Sequence, residues 1–270
     1  MHASYTRLAR TAVLVAGLMA GSLAHANIAN GNFSAGLAGW QTFGDVAALS
    51  SSPAGLALPI SSSTLVLSTA TLGFDDYPLT SGHYNVSGQE AGAIGSAGGL
   101  EDFVGVTIGS LHPDPVNFTS ILAEGSGARQ SFTVQAGDTL SFTWNLLSAD
   151  RDFADRAFVV IDTHTVNGLQ VLALGDAAQA TQSVNGNGQL LQTGSNSFSH
   201  TFTSAGTVTL SLAVADLDAA DQTSLLTVND VALTAAVPEP STAVFALLGL
   251  AAGGVFMRRR QGGPAQTSFT

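Results

Sequence analysis

For residues 27–236 the sequence predicts an all-β fold, a jelly-roll-like antiparallel β-sandwich, and three observations carry that prediction. Two stretches alternate apolar and polar residues with a period of two: Leu140, Phe142, Trp144 and Leu146 oppose Ser141, Thr143 and Asn145, and Val208, Leu210, Leu212 and Val214 oppose Thr207, Thr209 and Ser211. The segment contains no long run of helical period. The 30 glycines in the chain break the sequence into short pieces separated by turn residues, as many short strands require.

The elements follow in chain order. Arg7 and Arg10 precede an apolar run from Thr11 to Leu23, and Ala24-His25-Ala26 stands before Asn27. This is the three-part layout of a secretory signal peptide with small residues, Ala24 and Ala26, at the cleavage positions, so residues 1–26 are expected to be removed by signal peptidase. In the domain itself, Ala48 to Ser63 has no period and reads as loop, followed by a strand at Thr64 to Ala70; Gly99 to Val106 reads as a short helix. Phe132 with Val134 leads through the turn Gln135-Ala136-Gly137-Asp138 into the first alternating strand. Phe198 with Phe202 leads through Ser204-Ala205-Gly206-Thr207 into the second. The expectation is two antiparallel hairpins. Ala157 to Thr163 is apolar on both faces and is expected deep between sheets, and Leu225 to Leu233 reads as the closing strand.

After the domain, Val237-Pro238-Glu239-Pro240 leads into an apolar stretch, Ala243 to Met257, closed by Arg258, Arg259 and Arg260. Fifteen helical residues rise about 23 Å, the short limit for a membrane crossing. The arginines would stay on the cytoplasmic side and leave everything before the helix outside. Residues 261–270 form a short cytoplasmic tail.

Charge narrows the partners. Eight arginines and no lysine face nineteen Asp and Glu, a net charge of -11, and within residues 27–237 only Arg129, Arg151 and Arg156 oppose eighteen acids. Nucleic acid is excluded as a natural partner, a Walker A loop is impossible without lysine, and the absence of cysteine excludes disulfides, thiolate metal sites and a Cys nucleophile. No Gly-x-Ser-x-Gly elbow occurs, and His83, His112, His164 and His200 are isolated, with His200 between Phe198 and Phe202 read as a core histidine. Glu90, Glu101 and Glu124 could supply a glycosidase pair only if the fold brought two together.

The acids themselves are patterned. Each alternating strand runs into Ala-Asp-x-Asp-x-Ala-Asp: Asp150, Asp152 and Asp155 after the first, Asp216, Asp218 and Asp221 after the second. The repeat implies equivalent positions on one rim of the sandwich. Carboxylates at such spacing suit Ca²⁺, a hard cation that takes six to eight oxygens, although neither loop is an EF-hand. Solvated turn acids, partly neutralised by Arg151 and Arg156, would read the same way in sequence. For sugar stacking, Trp40 and Trp144 read as core, leaving Tyr77 and Tyr84 as candidate glycan contacts.

Two resemblances add to this. The Val-Pro-Glu-Pro box, the apolar helix and the arginine cluster over residues 237–260 resemble the PEP-CTERM sorting signal of Gram-negative bacteria. That resemblance implies an exosortase partner that cuts near the box, transient inner-membrane anchoring, and delivery to the cell surface or matrix, with a role in exopolysaccharide, biofilm or floc formation; an uncut C-terminal anchor is the other outcome. Asn30-Gly31-Asn32-Phe33-Ser34, Gly36-Leu37-Ala38-Gly39-Trp40 and Asn229-Asp230-Val231 resemble the opening and the last strand of carbohydrate-binding-module-like β-sandwiches, and Ala123 to Gly127 through Phe142 to Asn145 resembles the exported domain of PEP-CTERM proteins. In the binding modules an acid after the first-strand Phe helps hold a structural calcium; Ser34 stands there in this chain. A non-enzymatic matrix protein is the first expectation and a module binding extracellular polysaccharide, with or without calcium, the second.

Overall fold

A computed structural model describes residues 28–73, 76–113, 122–217 and 221–236. The described chain is nearly all β, in two antiparallel sheets. The first sheet runs β1 (Gln41–Phe43), β5 (Leu122–Val134), β12 (Gly206–Leu217), β7 (Arg156–Asp162), β8 (Leu169–Asp176), with β4 (Gly92–Ala93) also on β5. The second runs β2 (Asp45–Leu49), β3 (Thr64–Ser68), β13 (Ser224–Thr234), β6 (Thr139–Ser148), β10 (Asn187–Gln192), β9 (Gln182–Val184), with β11 (Asn196–Thr201) also on β6. Among the described residues no helix is long and apolar enough to cross a membrane.

The alternating strands bury the faces their sequence marks. Leu140, Phe142, Trp144 and Leu146 from β6 and Val208, Leu210, Leu212 and Val214 from β12 share one core with Trp40, Phe33, Val159 and Ile161. The two hairpins, however, do not form. β5 pairs with β12 through Val134↔Gly206 to Gly125↔Ala215, while β6 pairs with β11 through Thr139↔Thr201 to Trp144↔Asn196. Each turn carries the chain from one sheet to the other, and the strands exchange partners. Alternation records which face of a strand is buried and says nothing about its neighbour. Inward rows on facing sheets interdigitate across a layer about 10 Å thick just as well as inward rows side by side. The crossing turns hold each other: Gly137 N–H donates to Phe202 O at 2.7 Å and Phe202 N–H to Asp138 O at 2.9 Å.

Outer layers explain the strands that are apolar on both faces. Phe158 and Val160 of β7 pack under Leu100 and Val104 of the helix α1 (Leu100–Val104), inside the segment that the sequence predicts to be helical. The helix stops at Gly105, whose φ of 81° is left-handed. It lies flat because Gly125 and Gly127 face it: a Cβ on either would stand 2.9 Å from Leu100. On the second sheet, Leu56, Leu58 and Tyr84 cover Val66, Leu147 and Leu225. The loop that bears Tyr84 is pinned by Asp45, whose buried carboxylate accepts from Val86 N–H (2.9 Å), Ser87 N–H (2.8 Å) and the Ser87 hydroxyl (2.5 Å). Burial, opposed by those hydrogen bonds, pushes the Asp45 carboxyl up to about 6. β13, the last strand among the described residues, is central in its sheet rather than at an edge.

Candidate functional site

The inward rows end in acids. On β6 the core-facing positions run Leu140, Phe142, Trp144, Leu146, then Ser148 and, just past the strand, Asp150. On β12 they run Val208 to Val214 and end on Asp216. On β7 the row Ala157, Val159, Ile161 begins at its outer end with Asp155. β7 and β12 pair through Arg156↔Ala215, so Asp155 and Asp216 are neighbours on the same face, and Leu217 N–H donates to Asp155 Oδ1 at 2.9 Å. Where β12 advances from Ala215 to Leu217, β5 advances from Gly125 to Leu122, and the bulge carries Asp216 on one strand and Glu124 on the other.

Burial separates the repeat into two groups. Asp150, Asp155 and Asp216 are 3%, 0% and 1% exposed, while Asp152 and Asp221 lie in solvent. Asp218 lies outside the described residues, as do Ala24, Ala26, Val237, Pro238, Glu239, Pro240 and Arg258 to Arg260. Asp150 Oδ1 accepts from the N–H groups of Asp152 (2.7 Å) and Phe153 (2.9 Å), a carboxylate closing its own turn. The other oxygens are not so placed: Asp150 Oδ2, Asp155 Oδ2 and Asp216 Oδ1 are buried with no hydrogen-bond partner.

Among the described residues nothing cationic answers them. Arg151 spends its guanidinium on the carbonyls of Ser148, Asp150 and Gln189, Arg156 is exposed, and the ion pair found among the described residues is His164 with Asp162. The sequence expectation that Arg151 and Arg156 neutralise these acids is therefore corrected. Burial, then the charges of Asp150 and Glu124, push the Asp155 carboxyl up to about 7, against the Leu217 N–H and the nearby Ser224 hydroxyl. Asp216 is pushed up to about 10 by burial first and then by Asp155, Glu124, Asp150 and Asp221. No hydrogen bond joins the free oxygens of Asp150, Asp155 and Asp216.

Beside this group Asp150, Arg151, Asp152, Phe153, Ala177 and Thr181 line an open groove of about 340 Å³. Phe153 is 39% exposed there. Sequence reasoning passed over Phe153 because it sits inside an acidic loop, and over Glu124 as a member of this group; the period-two row of β12, extended one step to Asp216, was the available signal for the rim. Tyr77 is 70% exposed, as a glycan contact requires. Tyr84 is corrected: it is fully buried in the layer over the second sheet, its hydroxyl near Asn187 Oδ1 at 3.4 Å, and no sugar reaches it. His200 is half-buried against the edge of Phe202.

No curated protein sequence matches the chain significantly. Solved structures with partial overlap include a family 61 carbohydrate-binding module in complex with β-1,4-galactotriose, 9% identical, TM-score 0.40, covering 77% of this chain and 96% of the module. Another is the cleaved adhesin domain of Lys-gingipain from Porphyromonas gingivalis, 10% identical, TM-score 0.38, covering 77% and 99%. The enzymatically active domain of a bacteriophage tailspike protein is 9% identical, TM-score 0.32, covering 75% and 21%. Overlap at this level fixes neither a site nor a ligand. Residues 236–261 match the family model of the PEP-CTERM protein-sorting motif, which marks the chain as an exported protein held transiently in the membrane by its C-terminal tail.

Proposed function

We propose that this chain is a non-enzymatic surface or matrix protein, delivered by an exosortase and associated with exopolysaccharide in biofilm or floc formation. The observation that carries the reading is the sorting motif at residues 236–261; Glu101, His112 and His164, among the groups a hydrolase could use, are engaged in the fold. Glu101 binds the backbone N–H groups of Gly109 and Leu111, His112 Nδ1 accepts from Leu122 N–H, and His164 is held by Asp162 and Thr209. A hydrolase needs two such groups free and facing one substrate. Deletion of residues 237–270, followed by fractionation and a biofilm assay, tests it. The expected result is loss of the protein from the surface fraction with weaker biofilm; an unchanged location and biofilm would overturn it. Mass spectrometry of the exported protein adds the processing step, because a C-terminal peptide that still contains Arg258 contradicts cleavage by the exosortase.

A second reading, direct glycan recognition, is favoured by the groove with Phe153 at its wall and by the exposed Tyr77, since sugar rings stack on accessible aromatic faces. Saturable binding on a glycan array that is lost in Phe153→Ala or Tyr77→Ala supports this reading over the first. Binding indifferent to both substitutions removes it.

A further inference from the structure

We propose that Asp150, Asp155 and Asp216 form a calcium site at one rim of the sandwich, built where the inward rows of β6, β7 and β12 end. The site would stand apart from the opening segment, where Ser34 takes the place of an acid.

Three observations support it. The three carboxylates are each at least nine-tenths buried, and Asp150 Oδ2, Asp155 Oδ2 and Asp216 Oδ1 lack any donor. A buried carboxylate oxygen without a partner carries the full cost of its lost hydration, so a native structure that keeps three of them close calls for a missing positive group. Among the described residues no arginine fills that role, and the chain has no lysine. A shared proton is the alternative, but Asp150 Oδ2, Asp155 Oδ2 and Asp216 Oδ1 have no hydrogen-bond partner, one another included. The donors are all oxygen, with Glu124 as a further acid beside them, which selects a hard cation over zinc or copper. Larger and more flexible in its geometry than Mg²⁺, Ca²⁺ tolerates an irregular set contributed by the loop between β6 and β7 and by β12.

As they stand, the side chains form no ready-made shell of three. The cation would draw the free oxygens together while Asp150 stays anchored through Oδ1 by the N–H groups of Asp152 and Phe153, and Asp155 through Oδ1 by Leu217 N–H and through its carbonyl by Ala177 N–H. Bound there, Ca²⁺ ties the end of β12 in the first sheet to the loop after β6 in the second. Extracellular modules bind calcium with dissociation constants of about 10⁻⁴–10⁻³ M, so such a site would fill only after export.

The test uses the full-length protein in mild detergent at pH 7.5, with binding followed by calorimetry and folding by thermal melts. One Ca²⁺ per chain is expected, with weaker or no response to Mg²⁺. At 1 mM Ca²⁺ and a dissociation constant of about 10⁻⁴ M the folding equilibrium shifts roughly tenfold over chelator, about 3–6 °C for a domain of this size. Asp155→Asn and Asp216→Asn should each abolish the calcium shift. Asp152→Asn, at an exposed position, should keep the shift. Absence of calcium binding to the wild-type protein overturns the proposal whether or not the variants fold. So does a calcium shift that survives in Asp155→Asn and Asp216→Asn.

Discussion

Because the chain has no cysteine, engineered thiols report strand pairing without background. Ser131 of β5 and Thr209 of β12 are direct partners, with their hydroxyl oxygens 2.8 Å apart on the exposed face; Thr139 of β6 and Thr201 of β11 are likewise partnered at 3.0 Å. Directly opposed residues in an antiparallel pair have Cα atoms about 4.5–5.5 Å apart, within the range of about 4.4–6.8 Å that a disulfide spans. Two hairpins would leave both pairs in separate units. Ser131→Cys with Thr209→Cys closes a loop of about 78 residues, for which chain entropy gives about 4.5 kcal/mol, and native-like bridges deliver about 2–4 kcal/mol of it. For a domain of about 210 residues that raises the melting temperature by at least about 4 °C relative to the reduced form. Peptide mapping under non-reducing conditions identifies the bridge, and paired melts with and without reductant measure the gain. If folded protein of both double variants leaves all thiols open to alkylation, the exchange of strand partners is refuted.

Three further outcomes follow from the same structure. Asp45 titrates near 6 when folded against 3.8 in the free side chain, so the folded state holds the extra proton and stability falls as pH rises from about 4 to 6. At about 1.4 kcal/mol per pH unit for one proton, urea titrations in chelator should show Asp45→Asn gaining about 3 kcal/mol on wild type across that interval, and a constant difference would count against the burial of Asp45. Tyr84→Ala, at a fully buried ring, should cost about 3–5 kcal/mol, whereas Tyr77→Ala, 70% exposed, should change stability by less than about 0.5 kcal/mol; equal melts for the two would contradict the placement of this loop. Gly125→Ala would put a Cβ 2.4 Å from the carbonyl oxygen of Val214, a backbone atom that cannot step aside, and should cost about 1–3 kcal/mol in a denaturant titration where an unchanged midpoint disproves the close approach.

Export with transient membrane anchoring was legible in the sequence, because sorting signals are read as short linear stretches: a Pro-Glu-Pro box, an apolar run and Arg258 to Arg260 mean the same thing in any fold. The buried face of each long strand was legible too, since a period of two follows from the pleat alone. Partners were not. Leu140 to Leu146 and Val208 to Val214 carry equal alternation, and only the packed molecule shows that they face each other from opposite sheets after their turns cross. Tyr84 shows the same limit, because its polar neighbourhood in sequence became an outer layer over the second sheet, with Asp45 accepting from Val86 and Ser87 and Asp76 from Tyr84 N–H. The acidic repeat marked a rim but could not separate Asp150, Asp155 and Asp216 from Asp152 and Asp221. That separation depends on which carboxylates end an inward row, and burial is a property of two sheets meeting, which no single stretch of chain contains.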